Sequence, residues 1–210
     1  MIVPEARRER TGTDRQGGFS LVELLVAVAI IMTICAMAVF TLKPALQNAD
    51  CDAAMQQVVG QLRQAREFAI TNRRYVQVTF TTVASIPQIN LTQRNDLTAG
   101  AGAINPVLST VAIHAPEQFY FGGGPDTPDG LGQPLASAGI EFGGVSGGPV
   151  GGMLFQSDGE LVDGTLYQPL SGTVFLGQNG PNTTSRAVTV LGATGRVRAW
   201  KGTGTGWAQY

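Results

Sequence analysis

The chain has 210 residues, of which only 14% are charged, and its formal net charge is −1. It contains 28 glycines and 11 prolines, a composition that suits an exported, β-rich and loop-rich domain better than a cytosolic enzyme. This length is enough for one soluble domain with an adequate core beside a leader and one membrane helix. The overall charge indicates no particular class of partner.

The first predicted element is an apolar segment at residues 19–42. Its only charged residue is Glu23, and the first basic residue after it is Lys43. At about 1.5 Å per residue, a helix of this length measures about 36 Å, which is enough to cross a hydrocarbon core of about 30 Å. Four arginines precede the segment: Arg7, Arg8, Arg10 and Arg15. This excess of positive charge predicts that the N-terminus stays in the cytoplasm and that the rest of the chain is exported.

An ordinary signal peptide or signal anchor is the simplest interpretation of residues 19–42, but two features argue against it. The first is the apolar run itself, which is longer than a typical h-region and is not followed by a small-x-small cleavage site. The second feature is Glu23, because a carboxylate inside a membrane span costs free energy and marks a functional residue that needs a partner.

The run GFSLVELL at residues 18–25 resembles the class III signal of type IV prepilins and type II secretion pseudopilins. The resemblance implies that a prepilin peptidase removes residues 1–18 as a leader by cutting between Gly18 and Phe19, and that Phe19 is then N-methylated. It also implies a single-pass inner-membrane protein with its head in the periplasm. Glu23 would pair with the N-terminal amine of a neighbouring pilin subunit during filament assembly. The rival interpretation is a plain membrane-anchored periplasmic domain.

The helix is predicted to continue beyond the membrane as an amphipathic half at residues 43–74. Pro44 predicts a kink near residues 40–44 but not the end of the helix, because apolar periodicity resumes at once. The spacing predicts a single buried stripe formed by Cys51, Met55, Val58, Leu62, Ala65 and Ala69. Thr71-Asn72 is the predicted end of the helix.

The two cysteines, Cys35 and Cys51, both fall on this predicted helix. They would lie about 24 Å apart along its axis, whereas a disulfide needs Cα atoms within about 7 Å. We therefore predict no disulfide between them.

Residues 75–210 are predicted to form a β-rich head. The clearest strand is Tyr75–Thr81, in which apolar and polar residues alternate, and Ile89–Leu91 is expected to pair with it in a hairpin. Further strands are predicted at 107–113, 119–121, 153–155, 173–176, 187–191 and 196–200, the last two joined by a turn at 192–195. Residues 95–106, 122–133 and 143–152 read as loops, and the last two of these serve either as solvent-exposed connections or as contacts with a neighbouring subunit. Residues 202–210 read as a Gly-rich tail.

Three short motifs in the mature chain resemble the H-type minor pseudopilins of type II secretion and related minor pilins of type IV pili. They are Leu62-x-x-Ala65-Arg66-x-x-Ala69-Ile70, Phe155-x-x-Asp158-Gly159, and Gly195-Arg196-Val197-Arg198. The resemblance implies an α+β fold, in which the C-terminal half of the long N-terminal helix packs on an antiparallel β-sheet or sandwich. Residues 95–152 match nothing specific in that family.

The sequence gives little support to an enzyme or a cofactor site. His114 is the only histidine, so neither a His-containing triad nor a multi-His metal site is predicted. Asp126 and Asp129 lie in a Pro/Gly loop but lack the spacing of an EF-hand, so we predict no metal site there. No cofactor is predicted.

Charge is distributed unevenly along the chain. Residues 96–163 contain eight acids and no Lys or Arg, whereas residues 164–210 contain no acid and four bases: Arg186, Arg196, Arg198 and Lys201. One interpretation is pairing of the acidic middle with the basic end inside the protein, and the other is a basic patch for an anionic partner.

DNA is the alternative partner, because some minor pilins bind it through a Gly-Arg-x-Arg motif near the C-terminus. Here Gly195-Arg196-Val197-Arg198 matches that motif, and Lys201 is close by in the sequence. Arg196 and Arg198 would face the same side of a strand. The interpretation that the whole sequence favours is a minor pseudopilin or pilin subunit, with prepilin peptidase, other pilin subunits and the inner membrane as its partners.

Overall fold

The computed structural model describes residues 18–94, 105–113, 118–119, 128–131, 139–146, 152–177 and 185–210. The chain divides into two compact units, with the boundary between Lys43 and Pro44. The N-terminal unit contains the apolar segment, and the C-terminal unit contains all the strands of the described residues.

Helix α1 runs over Leu21–Asn72 and contains Pro44, which therefore does not end the helix, as predicted. The predicted kink near Pro44 stays a prediction. In the described part of the chain, α1 is the one helix that is long and apolar enough to cross a membrane. The described side chains of its first part are exposed throughout residues 21–38. One of the few hydroxyls there, Thr33, donates a hydrogen bond to the carbonyl of Ile30, so this polar group is satisfied within the helix.

The second part of α1 packs into the head through the predicted stripe. Cys51, Met55, Val58, Leu62, Ala65 and Ala69 are all buried, together with Ala54 and Val59, which the stripe did not include. Cys51 is buried, Cys35 is exposed, and both are free thiols.

The helix ends where the sequence predicted, and its C-terminus forms a Schellman motif. The amide of Arg74 donates to the carbonyl of Ala69, and the amide of Arg73 donates to that of Ile70. Arg73 occupies the left-handed position that glycine usually takes, with φ of 51°.

The described head contains twelve strands in two antiparallel sheets. The strands are β1 (Tyr75–Val83), β2 (Ile86–Arg94), β3 (Val107–Ala112), β4 (Gln118–Phe119), β5 (Ile140–Phe142), β6 (Val145–Ser146), β7 (Met153–Phe155), β8 (Leu161–Asp163), β9 (Gly172–Gly177), β10 (Arg186–Leu191), β11 (Arg196–Gly202) and β12 (Trp207–Gln209). The first sheet has the order β3-β2-β1-β7-β8. The second has the order β12-β11-β10-β9-β5-β6, and β4 also pairs with β9.

One hydrophobic core joins α1 to both sheets. Val76 and Val78 of β1, which alternate with polar residues, are buried in the same cluster as the helix stripe. Val188 and Val190 of the second sheet belong to this cluster too. The fold is therefore α+β, with one long N-terminal helix packed on antiparallel sheets, as the H-type resemblance implied.

Four strands differ from the sequence-based expectations. β6 lies inside the predicted loop 143–152, where its two residues pair with β5, and neither β5 nor β8 was predicted. The predicted tail contains β12, which pairs with the end of β11. Each of these strands has only two or three residues, too few to show alternation in the sequence.

Some predicted elements fall on residues outside the described ranges. These are residues 1–17 of the predicted leader, most of the predicted loops 95–106 and 122–133, residues 147–151 of the predicted loop 143–152, the second and third residues of the predicted strand 119–121, His114 and Asp126. Within 122–133, Pro128–Gly130 forms a short 3-10 turn.

Candidate functional site

The predicted processing site lies just before the first turn of α1. Gly18, Phe19 and Ser20 are outside the helix, and the amide of Leu24 donates to the carbonyl of Ser20 at 3.1 Å, which begins the helical hydrogen bonds. The peptide bond between Gly18 and Phe19 therefore takes no part in helical hydrogen bonding. Phe19 is 81% exposed.

Glu23 lies in the first turn of α1, where the helix dipole favours a negative charge. Its neighbours Leu21, Val22, Leu24 and Leu25 are apolar and exposed. Among the described residues, no Lys or Arg lies within ion-pair distance of Glu23. A partner for this carboxylate has to come from residues other than those described, or from another molecule.

The three residues of the predicted basic patch do not act as one surface. Arg198 forms an ion pair with Asp129 at 2.8 Å, and Asp129 also accepts a hydrogen bond from Thr189. Arg196 is exposed and has no acidic partner among the described residues. Lys201 is out of phase with both arginines along β11, so it projects from the opposite face of the strand.

Arg186, the fourth base of the C-terminal region, is fully buried. Its guanidinium binds the carboxylate of Asp52 and the side-chain oxygen of Asn48, both on α1. The predicted pairing of acidic middle and basic end is thus found for Arg198, whereas Arg186 pairs with the helix. Neither cation is available to an external anion.

Arg66 is the centre of a second arrangement that the linear sequence did not reveal. Its Nε donates a hydrogen bond to the carbonyl of Gly159 at 3.2 Å. Gly159 and Gly195 both have positive φ, at 87° and 59°. A Cβ on Gly159 would lie 3.0 Å from the Arg66 Nε, and one on Gly195 would lie 2.8 Å from it. Both positions favour glycine, because their φ is positive and because Ile70 and Arg66 crowd Gly159 while the Gly159 carbonyl and Arg66 crowd Gly195.

The Arg66 contacts bring the three short motifs of the mature chain together in space. Arg66 belongs to the first motif, Gly159 to the second and Gly195 to the third. Sequence reasoning found each motif separately but assigned no contact between them. The only signal in the sequence that linked the three motifs was their order along the chain, which resembles the order in the H-type family.

A cleft of about 700 Å³ opens beside this junction, between the last turns of α1 and the β10–β11 hairpin. Its lining includes Arg63, Arg66, Glu67 and Ile70 of the helix and Gly195 and Arg196 of the hairpin. With Leu191 and Val197, the cleft therefore combines three arginines, one carboxylate and three aliphatic side chains.

No metal site is found in the described ranges, where no group of three or more His, Cys, Asp or Glu side chains is placed to hold an ion. Asp129 of the Pro/Gly loop binds Arg198.

Comparison with known proteins yields one family match. The profile described as the prokaryotic N-terminal methylation motif matches residues 13–39, a range that includes Gly18, Phe19 and Glu23. No curated protein and no solved structure gives a significant match to the chain. The N-terminal segment thus carries the prokaryotic N-terminal methylation motif, and this match supports the resemblance of the chain to type IV prepilins and pseudopilins.

Proposed function

We propose that the protein is a minor pseudopilin of the H type, a structural subunit of a type II secretion pseudopilus or of the related type IV pilus. The observation that carries the proposal is the position of the methylation motif, which coincides with the start of a long exposed apolar helix. Prepilin peptidase cuts between Gly18 and Phe19 and methylates Phe19, and the mature chain is anchored in the inner membrane with its head in the periplasm.

The exposed apolar side chains of the N-terminal unit explain why such a subunit assembles. Leu24, Leu25 and Ile31 are each more than half exposed, so this part of α1 is stable only in lipid or against other helices. Stacking of equivalent helices in a filament core provides that cover once the subunit leaves the bilayer.

Glu23 gives this stacking its register. A carboxylate buried among apolar helices is strongly unfavourable unless an opposite charge lies close to it. The methylated amine of Phe19 on a neighbouring subunit is a cation. Its pairing with the Glu23 carboxylate sets the axial offset between the two subunits.

The head supports the H-type assignment through the junction at Arg66. The three motifs of the resemblance meet there, and the buried stripe of α1 fixes the helix to both sheets. A rigid union of helix and head suits a subunit that transmits force along a filament.

DNA uptake is the second candidate function, because Arg196 is exposed and has no acidic partner in the described residues. The other two residues of the predicted patch weaken it, since Arg198 is neutralised by Asp129 and Lys201 lies on the other face of β11. Few phosphate contacts give weak and strongly salt-dependent binding. We therefore rank the structural subunit first.

The deciding experiment is mass spectrometry of the mature N-terminus from membranes of a host that contains prepilin peptidase. The expected chain begins with N-methyl-Phe19. A chain that begins at Met1, or that is cut after residue 42, would overturn the proposal in favour of an ordinary anchored or secreted domain.

Two substitutions separate processing from assembly. Gly18→Val is expected to leave the unprocessed precursor, because a bulky residue blocks the peptidase. Glu23→Ala and Glu23→Lys are expected to be processed and yet to be absent from sheared filaments, whereas Ser20→Ala serves as a neighbouring control that keeps both properties. Normal incorporation of both Glu23 variants would refute the role given to this carboxylate.

A further inference from the structure

The cleft beside Arg66 carries positive charge that the described part of the protein does not neutralise. No described carboxylate lies within ion-pair distance of Arg63, Arg66 or Arg196. Glu67 lines the same cleft but makes no ion pair with these arginines. Three cations against one carboxylate leave a net attraction for an anion.

Three other described acids, Asp158, Asp163 and Asp129, make contacts of their own. The Asp158 carboxylate accepts the amide of Glu160, and the Asp163 carboxylate accepts the amides of Thr165 and Leu166. Asp129 is bound by Arg198. None of these described carboxylates forms an ion pair with an arginine of the cleft.

Arg66 is rigidly placed to receive such an anion. The carbonyl of Gly159 holds its Nε, and the backbones of Gly159 and Gly195 enclose the side chain. Arginine placed in this way loses little entropy on binding and presents a planar fork that suits a carboxylate.

The cleft is also partly apolar. Ile70 is 40% exposed at its edge, and the lining continues with Leu191 and Val197 of the hairpin. An anion-binding site with an aliphatic wall fits a polypeptide better than a phosphate backbone, because a peptide carries carboxylates and aliphatic side chains side by side. Glu67 would repel a polyanion but is tolerated beside a single carboxylate.

We infer that this cleft, lined by Arg63, Arg66, Ile70 and Arg196, docks an extended acidic segment of a neighbouring subunit. A carboxylate of that segment binds the arginines, and an adjacent aliphatic side chain packs on Ile70. The inference rests on the proposed function for the source of the segment, namely another pilin-like subunit. The chemistry of the cleft itself does not depend on that source.

The test uses the full-length protein purified in detergent and two fluorescein-labelled peptides. One peptide has the sequence Gly-Leu-Glu-Leu-Glu-Gly, and its control replaces each Glu by Gln. Fluorescence anisotropy is expected to show binding of the Glu peptide about tenfold tighter than that of the Gln peptide, because only the former offers charge-assisted hydrogen bonds. Equal affinity of the two peptides would overturn the inference.

Charge reversals then locate the site. Arg63→Glu and Arg196→Glu are each expected to weaken binding of the Glu peptide about tenfold. Lys201→Glu makes the same change of net charge on the opposite face of β11. The affinity of this variant for the Glu peptide should stay within about twofold of that of the wild type. An equal effect of all three reversals would mean that the peptide responds to overall charge, and the inference would be wrong.

A 20-residue oligothymidylate distinguishes the nucleic-acid alternative. If it displaces the peptide, binds more tightly and loses affinity in Arg196→Glu, the cleft is a nucleic-acid site and the inference fails. None of these binding results bears on where the mature chain begins. The proposed function is therefore tested separately, by mass spectrometry of the N-terminus.

Discussion

Substitution of Gly195 by alanine tests the junction at Arg66 most directly. The new Cβ would lie 2.0 Å from the carbonyl oxygen of Gly159 and 2.8 Å from the Arg66 Nε. Neither distance is tolerable, and the nearer atom belongs to the backbone, so the turn between β7 and β8 must move. The hydrogen bond from Arg66 to Gly159 is then lost.

The expected cost can be assembled from two parts. Alanine at a φ of 59° costs about 1 kcal/mol in backbone strain. Loss of a half-buried hydrogen bond from a charged donor adds about 1.5 kcal/mol, and displacement of the turn adds to this. We therefore expect Gly195→Ala to lower the free energy of unfolding by about 3 kcal/mol.

Two other glycines provide matched controls. Gly144 also has positive φ, at 79°, but its Cβ would meet nothing within 4 Å, so Gly144→Ala should cost only the strain, about 1 kcal/mol. Gly60 lies inside α1 with open space around it, and Gly60→Ala should stabilise the protein by about 0.5–1 kcal/mol.

The assay is guanidinium unfolding of the full-length protein in detergent, followed by tryptophan fluorescence. Trp200 and Trp207 both lie in the second sheet, where Trp200 donates to the hydroxyl of Thr189 and the Trp207 ring lies 5.9 Å from that of Phe175. The fluorescence of these two tryptophans reports the unfolding of the second sheet, whose β10–β11 turn contains Gly195. If Gly195→Ala and Gly144→Ala differ by less than about 0.5 kcal/mol, the close contact at Arg66 does not contribute to stability and the reasoning is refuted.

Three further predictions use the same unfolding assay. Asp52→Ala leaves the buried Arg186 guanidinium without its carboxylate and should cost about 3 kcal/mol, and Arg186→Met added to it should recover part of that loss; additive costs in this double-mutant cycle would contradict a direct pair. The β1–β2 turn places Ala84 and Ser85 at φ of 50° and 66°, so replacing them by Asn-Gly should stabilise the hairpin by about 1–2 kcal/mol, and an unchanged unfolding midpoint would contradict this geometry. Arg73→Gly should stabilise the Schellman motif by about 1 kcal/mol, whereas a loss of stability would show that the Arg73 side chain contributes more than its backbone strain costs.

The elements that the sequence predicted correctly are those with a long periodic signal. The helix stripe from Cys51 to Ala69 repeats over five turns, and apolar and polar residues alternate in β1 from Val76 to Phe80, so one face of each element could be identified as buried. The end of α1 was also predicted correctly, because Asn72 is followed by residues that start a strand. In these cases, local sequence and tertiary burial give the same answer.

The features that were missed depend on contacts between distant residues. β6 and β12 are too short to have a pattern of their own and are strands because a neighbouring strand pairs with them. Arg186 sits in an ordinary strand sequence, and its burial is favourable because Asp52 and Asn48 of the distant helix bind its guanidinium. The residues of the predicted anion site, Arg196, Arg198 and Lys201, do not form one surface. Asp129 binds Arg198, and the strand pleat places Lys201 on the opposite face of β11.

The junction at Arg66 also constrains the order in which the head matures. Arg66 and Gly159 are 93 positions apart in the chain, and Gly195 is synthesised later still. Closing such long loops costs entropy before any contact is gained, so non-local junctions of this kind form slowly. The final turns of α1 are synthesised early, but they can pack against the β10–β11 hairpin only after that hairpin has formed. The cleft can therefore form only after residues 191–197 of the hairpin have been synthesised.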